Sequence, residues 1–199
     1  IETSGRQELW GTVDEVLEVV NDVPGTVPVL NMAHIHARGH GCMRTSEDYA
    51  ELFDKVRTRL GGSKFYCHFA GVEHRMGNAL HYTQIKKSDL KFEPFAEFLA
   101  EDGDWMDLTI ISDSPLLEHD AMFMQQHHDK ARERLLEIMA RDEQRMRVMA
   151  RSEGADTPTV DAPVPQDVVE TPAKDPPKPK KASTMMSFED DTTDDDDLF

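Results

Sequence analysis

Cysteine is almost missing from this chain, which has two in 199 residues. Cys42 and Cys67 form no CxxC pair and no disulfide framework, so we expect two buried small hydrophobic residues in a reducing compartment. Long apolar runs are missing too, since none approaches the roughly 20 residues that span a bilayer. No signal peptide is recognisable. The sequence therefore predicts a cytoplasmic protein without a membrane segment.

Basic residues are scarce relative to acids, with 22 Lys and Arg against 39 Asp and Glu and a formal net charge of −17. An acidic body argues against a broad phosphate-binding surface, because neutralising phosphates needs Lys and Arg. The same acidity fits a protein that stays solvated at very high salt, where long-range repulsion is screened. The chain begins with Ile1 at an apparent strand end, so we expect the C-terminal part of something longer.

Apolar runs alternate with amphipathic stretches along the chain, which predicts strands followed by helices. Ser46 is a typical helix start and Gly61-Gly62 a typical stop. The composition of residues 152–199, Pro-rich and then acidic, cannot bury a core and predicts a disordered tail. The predicted strands are the end at Glu2, 27–32, 64–69 and 108–112; the predicted helices are 12–21, 46–60, 88–101 and 115–151; the predicted loops include 34–41 and 71–87.

Side chains of the kind that bind metals follow these apolar runs. Glu2, His34, His68 and Asp113 come at or just after the ends of predicted strands, and His81 lies in a predicted loop. Ligands at the C-terminal ends of successive parallel strands converge on one face, where α/β barrels build their sites. Imidazole together with carboxylate suits zinc and its first-row neighbours. The alternative is that the histidines are hydrogen-bonded barrel residues and the two acids are helix caps.

These motifs, in this order, resemble the second half of an endonuclease IV-type apurinic endonuclease, and more narrowly its archaeal relatives in the xylose isomerase-like TIM barrel superfamily. The resemblance covers residues 1–128. It implies an α/β fold, the C-terminal half of a (β/α)8 TIM barrel, over residues 1–151, with a long terminal helix and an acidic tail. The matching segments are Glu2-Thr3-Ser4-Gly5, His34-Ile35-His36-Ala37-Arg38-Gly39, His68-Phe69-Ala70-Gly71-Val72-Glu73, His81 and Ile111-Ser112-Asp113-Ser114-Pro115.

In that family a three-zinc cluster cleaves the DNA backbone on the 5′ side of an abasic site. The resemblance implies a metal-dependent endodeoxyribonuclease of DNA repair in which Glu2 is the central catalytic residue, as a carboxylate that bridges two zinc ions. The other roles it implies are Asn31 at the position of a zinc-binding Asp, His34 and His81 as ligands of the third zinc, His68 as a ligand of the second, and Asp113 at the position of a Glu.

Three positions depart from the family pattern. Asn31 is neutral, Ala79 stands where an Asp-x-His pair would have its Asp, and Asp113 is one methylene short. The expected cofactor is zinc or manganese, one to three ions, and these departures favour one or two. His74 or Glu73 could replace a lost ligand. Three bases on loops behind strand ends are the candidate phosphate-binding residues, although the two lysines fit solvated charges equally well: Arg38, Lys86 and Lys87.

Two other functions fit the same residues. A sugar isomerase or epimerase on the same barrel also uses carboxylates and histidines with one or two divalent ions. A catalytically decayed barrel would instead bind partners through its long helix and tail. The partners we expect are DNA with abasic sites and, for the tail, a repair or replication protein, because Asp194 to Phe199 resembles the acidic tip of bacterial single-stranded-DNA-binding proteins and Met185 to Phe188 a sliding-clamp-binding box. A solubilising tail is the alternative, and we expect a monomer.

Overall fold

The computed structural model describes residues 1–153, which form a small α/β fold. The elements in chain order are α1 (Val13–Asp22), β1 (Val29–Asn31), α2 (Met32–Arg38), α3 (Ser46–Leu60), β2 (Lys64–Phe69), β3 (Gly71–Arg75), β4 (Asn78–Thr83), α4 (Glu93–Asp102), β5 (Asp107–Ser112) and α5 (Glu118–Glu153). The main sheet is parallel with the strand order β1-β2-β5, and β3 and β4 form an antiparallel pair. Glu2 continues the parallel sheet beyond β1 through a single bridge to Val29.

Capping residues set the ends of the helices on the outside of the sheet. The hydroxyl of Thr12 accepts a hydrogen bond from the backbone N–H of Glu15, whose carboxylate in turn accepts from the Thr12 backbone. Thr45 and Asp48 repeat this reciprocal arrangement at the start of α3. Each of these capping boxes provides hydrogen-bond acceptors for N–H groups that the first helical turn leaves unpaired. Gly61 ends α3 in the left-handed region at a φ of 60°, as the sequence predicts.

Strand β2 separates the aromatic core from the opposite face of the sheet, which carries His68. Phe65, Cys67 and Phe69 are buried, whereas Tyr66 and His68 alternate with them and remain partly exposed. Successive strand residues point to opposite faces, so the buried set meets the aromatic side chains of α3 and α4. Phe95 stacks on Phe53 at a ring-centroid distance of 5.9 Å and contributes to the largest apolar cluster. His68 is consequently directed away from this aromatic core.

The predicted half of a TIM barrel is wrong. Residues 1–153 contain an open three-stranded parallel sheet, a separate antiparallel hairpin and five α-helices. The hairpin occupies the predicted loop 71–87, and its turn uses Met76 and Gly77 at φ values of 50° and 76°. Strand–helix alternation predicts parallel connections correctly, but it is the same for an open sheet and for a closed barrel. Closure was therefore the part of the prediction that the pattern could not support.

Several smaller predictions also differ from the structure. The loop predicted over 34–41 is mostly helical, because α2 begins directly at Met32. The helix predicted over 88–101 begins only at Glu93, and Ser88 is instead buried, where its hydroxyl accepts the backbone N–H of Val72. Cys42 is exposed, whereas Cys67 is buried as expected. The long final helix is present as α5.

The predicted tail begins at residue 152, but α5 continues to Glu153. The remaining tail predictions, including the acidic tip and the clamp-binding box, lie outside the described residues. Among residues 1–153, no helix combines the length and the apolar character that crossing a membrane requires.

Candidate metal centre

Three of the six predicted metal ligands meet at one edge of the parallel sheet. Nδ1 of His68 lies 2.9 Å from Oδ2 of Asp113 and 3.4 Å from Oε1 of Glu2. His68 is in β2, while Glu2 and Asp113 lie beside its two neighbouring strands. Parallel strands end at a common edge, so the strand register brings these side chains together. We call Glu2, His68 and Asp113 the ligand cluster.

The geometry of the ligand cluster fits a divalent ion with open coordination positions. Its three candidate ligand atoms all lie within 4.8 Å of one another. Two ligand atoms about 2.1 Å from a tetrahedral ion are roughly 3.4 Å apart. The distance from His68 to Glu2 matches this spacing, and the 2.9 Å distance from His68 to Asp113 is shorter, so this pair would have to separate slightly around an ion. The side chains are 41%, 23% and 26% exposed for Glu2, His68 and Asp113, so solvent and a substrate can reach the cluster. One imidazole with two carboxylates is a donor set that zinc and manganese accept.

Backbone contacts hold Asp113 in place at the end of β5. The backbone N–H of Asp113 donates to the carbonyl of Phe69 at 3.1 Å and extends the ladder between β2 and β5 by one residue. The next residue, Ser114, is buried and its hydroxyl donates to the carboxylate of Asp120 in α5. That carboxylate also accepts the backbone N–H of Ile85 at 3.0 Å. The turn that carries Asp113 is thus fastened to both the sheet and α5.

Asn31 lies behind Glu2 and is not oriented as a metal ligand. Its Oδ1 accepts the backbone N–H of His34 at 3.2 Å and caps α2, so its Nδ2 faces the other way. Nδ2 donates to Oε1 of Glu2 and to the hydroxyl of Tyr82, at 2.8 Å in each case. The side chain is 1% exposed. The amide oxygen, its only plausible ligand atom, is therefore committed to the helix.

Both ring nitrogens of His34 are engaged in hydrogen bonds. Nδ1 lies 2.7 Å from the carbonyl oxygen of Thr3, which can only accept, so Nδ1 carries the proton. Nε2 then has the lone pair and accepts from the hydroxyl of Tyr82 at 3.0 Å. His34 reaches Glu2 only loosely, with 4.0 Å between Nδ1 and Oε1. The structure thus links Glu2, Asn31, Tyr82 and His34 in one chain of hydrogen bonds, which we call the relay.

Tyr82 is the residue of this site that the sequence analysis missed. It lies in β4, within the segment predicted as a loop, and its ring stacks on that of His34 at 5.9 Å. Burial raises the pKa of the Tyr82 hydroxyl, and the hydrogen bond from Asn31 only partly opposes that rise. The hydroxyl is therefore a neutral donor at ordinary pH. The sequence signal for this hairpin is weak: Gly77 is a typical turn residue, but the flanking segments have few β-forming residues, Val72 before the turn and Tyr82 and Thr83 after it.

His81 lies apart from the ligand cluster because it precedes Tyr82 on the same strand. Neighbouring strand residues point to opposite faces, and His81 instead faces its cross-strand partner Glu73, with 3.4 Å between Nε2 and Oε2. Both side chains are about 60% exposed. His81 and Glu73 therefore pair with each other, and Glu73 does not replace a lost ligand.

The predicted phosphate-binding residues have other contacts. Nη1 of Arg38 donates to the carbonyls of Arg6 at 2.7 Å and Ser4 at 3.4 Å, and Nη2 donates to that of Gln7 at 3.4 Å. Its guanidinium thus holds the segment that follows Glu2. The ammonium of Lys86 lies 4.8 Å from the ring centre of Phe123 on α5. Lys87 is exposed in a short 3-10 turn, residues Ile85–Lys87.

A second group of metal-type ligands, His36, His74 and Asp89, connects α2 to the hairpin. Nε2 of His36 is 3.4 Å from Oδ1 of Asp89, and Nε2 of His74 is 3.1 Å from Oδ2. Nδ1 of His36 accepts the backbone N–H of Met43 at 3.2 Å, so the proton of the neutral ring is on Nε2. Nε2 then has no lone pair for a metal. His74 is paired with Asp89 and does not replace a lost ligand in the ligand cluster.

Electrostatics in this second group favour a neutral His36 next to an ionised Asp89. Complete burial lowers the pKa of His36, and the nearby charge of Asp89 only partly offsets that effect. Burial alone would raise the pKa of Asp89, but the hydrogen bond from His74 and the interaction with His36 outweigh it and lower the pKa. The group therefore joins α2, β3 and the segment before α4 through a carboxylate shared by two imidazoles.

No protein-family model matches this chain. An uncharacterized protein of Methanocaldococcus jannaschii is 26% identical to it over 126 residues, which is 62% of this chain and 45% of the relative. The chain thus spans a little under half the length of that curated relative. At this identity the match makes the chain similar to an archaeal protein whose name states no activity.

Proposed function

We propose that this chain carries the metal centre of a divalent-metal-dependent phosphodiesterase of the endonuclease IV type, acting at abasic sites in DNA. The observation that carries the proposal is the convergence of Glu2, His68 and Asp113 at an accessible sheet edge. The cofactor we propose is zinc or manganese. The choice of substrate rests on the resemblance of the ordered motifs to that family.

Charge explains why such a site needs a cation to act on DNA. Glu2 and Asp113 place two negative charges at the site, on a chain of net charge −17. A phosphodiester is also an anion, and two like charges 4 Å apart repel by about 4 kcal/mol at an effective dielectric constant of 20. Glu2 and Asp113 would hold a divalent cation that, when bound, would balance both carboxylates, lower the pKa of water and stabilise charge on the phosphoryl oxygens.

The protein's own groups bind and orient in this proposal. His68 would bind the ion through an unprotonated Nδ1, because only a ring nitrogen without a proton has a lone pair to offer. The hydrogen bond from Asn31 restrains Oε1 of Glu2, so this carboxylate serves as an oriented ligand rather than as a mobile base. Asp113 is restrained through the backbone of β5. A preformed arrangement of this kind reduces the ordering that metal binding requires.

A sugar isomerase or epimerase is the second candidate, and the contacts of Arg38 favour it. The Arg38 guanidinium donates hydrogen bonds to backbone carbonyls near the ligand cluster, so it is less available to an anionic substrate. The neutral groups beside the cluster, Asn31 and Tyr82, could instead hydrogen-bond a polyol. Both candidates use the same ions, so the substrate has to be tested directly.

The full chain is incubated at high salt with zinc or manganese and a DNA duplex that has one abasic site. A parallel assay replaces the DNA with a set of aldoses and ketoses. A chelator arm tests the need for metal. H68A and D113A should abolish turnover, whereas H119A, an exposed histidine of α5, should leave it unchanged. Chelator-sensitive cleavage on the 5′ side supports the proposal. Sugar conversion supports the second candidate, and a chain with neither activity nor bound metal supports a partner-binding role.

The cellular setting belongs to the same proposal. We propose that the protein is a monomer and that it is cytoplasmic, the compartment being inferred because its two free cysteines suit a reducing environment. A repair or replication protein is the partner we propose for the acidic tail, which lies outside the described residues.

A further inference from the structure

We infer that the site holds a single metal ion, because the relay occupies the position between Glu2 and His34 that a second ion would need. This inference rests on the proposed metal centre and concerns its stoichiometry. His34 offers an accessible imidazole close to Glu2, so the site has the ligands for two ions at first sight. The hydrogen bonds of Asn31 and Tyr82 decide against the second.

Distances along the relay leave no room for an ion. The hydroxyl of Tyr82 is 3.0 Å from Nε2 of His34, and Nδ2 of Asn31 is 2.8 Å from both that hydroxyl and Oε1 of Glu2. An ion bound to His34 would lie about 2.0 to 2.1 Å from Nε2, where the hydroxyl proton now points. It would also meet the positive N–H end of the Asn31 amide. A second ion therefore has to displace the tyrosine and overcome the amide dipole.

The direction of every hydrogen bond in the relay is fixed by a backbone group outside it. The carbonyl of Thr3 fixes the proton of His34 on Nδ1, and the N–H of His34 fixes Oδ1 of Asn31 toward α2. Asn31 cannot turn its oxygen toward an ion without giving up the helix cap. Because Asn31 and Tyr82 are both neutral, the charge of Glu2 remains available to the ion it shares with His68 and Asp113.

The same contacts show which two substitutions would open the second position. His34 is already prepared as a ligand, because metal-bound histidines usually donate their other N–H to a carbonyl or carboxylate, as Nδ1 does to Thr3. Y82F frees Nε2 of His34. N31D keeps an oxygen for the cap of α2 and turns a carboxylate oxygen toward Glu2. The double variant would thus offer two carboxylates and one imidazole to a second ion.

The test counts metal ions bound to the full chain, by equilibrium dialysis against zinc with elemental analysis and by native mass spectrometry. We expect one ion for the wild type, for N31D and for Y82F, and two for N31D/Y82F. Adding H34A to the double variant should return the count to one. Manganese gives a second readout, since two adjacent manganese ions couple magnetically and change the paramagnetic resonance spectrum.

The outcomes separate this inference from the proposed function. Two ions in the wild type overturn the inference and leave the metal centre standing. One ion in a folded double variant also overturns it, because the relay would then not be what excludes the second ion. No ion in any variant overturns the proposed centre and the inference together. Circular dichroism checks folding, and if the double variant does not fold, the wild-type count alone decides between one ion and two.

Discussion

Nδ1 of His68 lies 2.9 Å from Oδ2 of Asp113, across the junction of β2 and β5. The two strands are parallel and pair in register up to Phe69 and Ser112. Asp113 extends this ladder by one residue, so its carboxylate reaches back toward His68. The distance between the two side chains is thus a property of the strand register, and changes that loosen the β2–β5 pairing should weaken the site as well as the fold.

Metal affinity should depend strongly on His68. H68A removes the only imidazole of the ligand cluster, and we expect zinc to bind about 100-fold more weakly or worse, since even losing a group that only supports a ligand costs 10- to 100-fold. Isothermal titration calorimetry, or competition with a chromophoric chelator, measures the affinity. H119A is the matched control. If H68A and the wild type bound zinc with equal affinity, His68 would not be a ligand of the metal centre.

Asn31 should contribute to stability through its cap on α2 and its bonds within the relay. N31A removes both, and we expect a loss of about 1 to 2 kcal/mol in the free energy of unfolding. Urea denaturation with chelator present measures this without a contribution from bound metal. N31S retains an oxygen for the cap and should recover part of the loss. A loss below about 0.3 kcal/mol in N31A would show that solvent replaces the hydrogen bonds of the buried amide without a net cost, contrary to the expected role of Asn31.

Arg38 should act on the backbone of residues 4–7 rather than on a substrate phosphate. R38K cannot reproduce a guanidinium that reaches several carbonyls at once, so we expect faster proteolysis and faster amide exchange in this segment, and weaker zinc binding through the adjacent Glu2. Mass-spectrometric hydrogen exchange locates the effect. Unchanged exchange in R38K, combined with weaker DNA binding, would favour the phosphate-binding role instead.

Stability should fall as the pH drops below the ordinary pKa of histidine, in part because of His36. Burial lowers its pKa in the folded state, so the unfolded chain binds more protons between the folded value and about 6.5. In that window stability rises with pH. The difference in unfolding free energy between pH 7.5 and pH 5.5 should be smaller in H36L than in the wild type, as measured by urea denaturation at both values. An identical difference would mean that His36 does not titrate there.

The ligand cluster was accessible to sequence reasoning for a simple physical reason. Apolar runs marked the parallel strands, and acids and histidines at their ends had to share one edge, which is where Glu2, His68 and Asp113 lie. The relay was not accessible, because it depends on Tyr82 from a hairpin that the sequence analysis treated as a loop. His34 and His81 are predicted as ligands of a third zinc, whereas His34 is hydrogen-bonded to Thr3 and Tyr82, and His81 faces Glu73, because the pattern does not show which way a ring points.

The fold prediction failed at the level of closure. The alternation that predicted β1, β2 and β5 is local, whereas a barrel depends on which strands lie at the edges. The run 27–32 is predicted as one strand, but β1 ends at Asn31 and α2 begins at Met32, the last residue of that run. Asn31 lies at this boundary. A polar residue there is typical of a ligand at a strand end and equally typical of a helix cap, so the sequence alone does not place the start of α2.

Diffraction at the zinc absorption edge from crystals of the full chain grown with zinc would locate the metal ion. We expect one anomalous peak about 2.1 Å from Nδ1 of His68 and within bonding distance of Glu2 and Asp113 carboxylate oxygens. Nε2 of His34 should still accept its hydrogen bond from the hydroxyl of Tyr82. No peak at this position, or a peak between His36, His74 and Asp89 instead, would contradict the metal centre proposed at the ligand cluster.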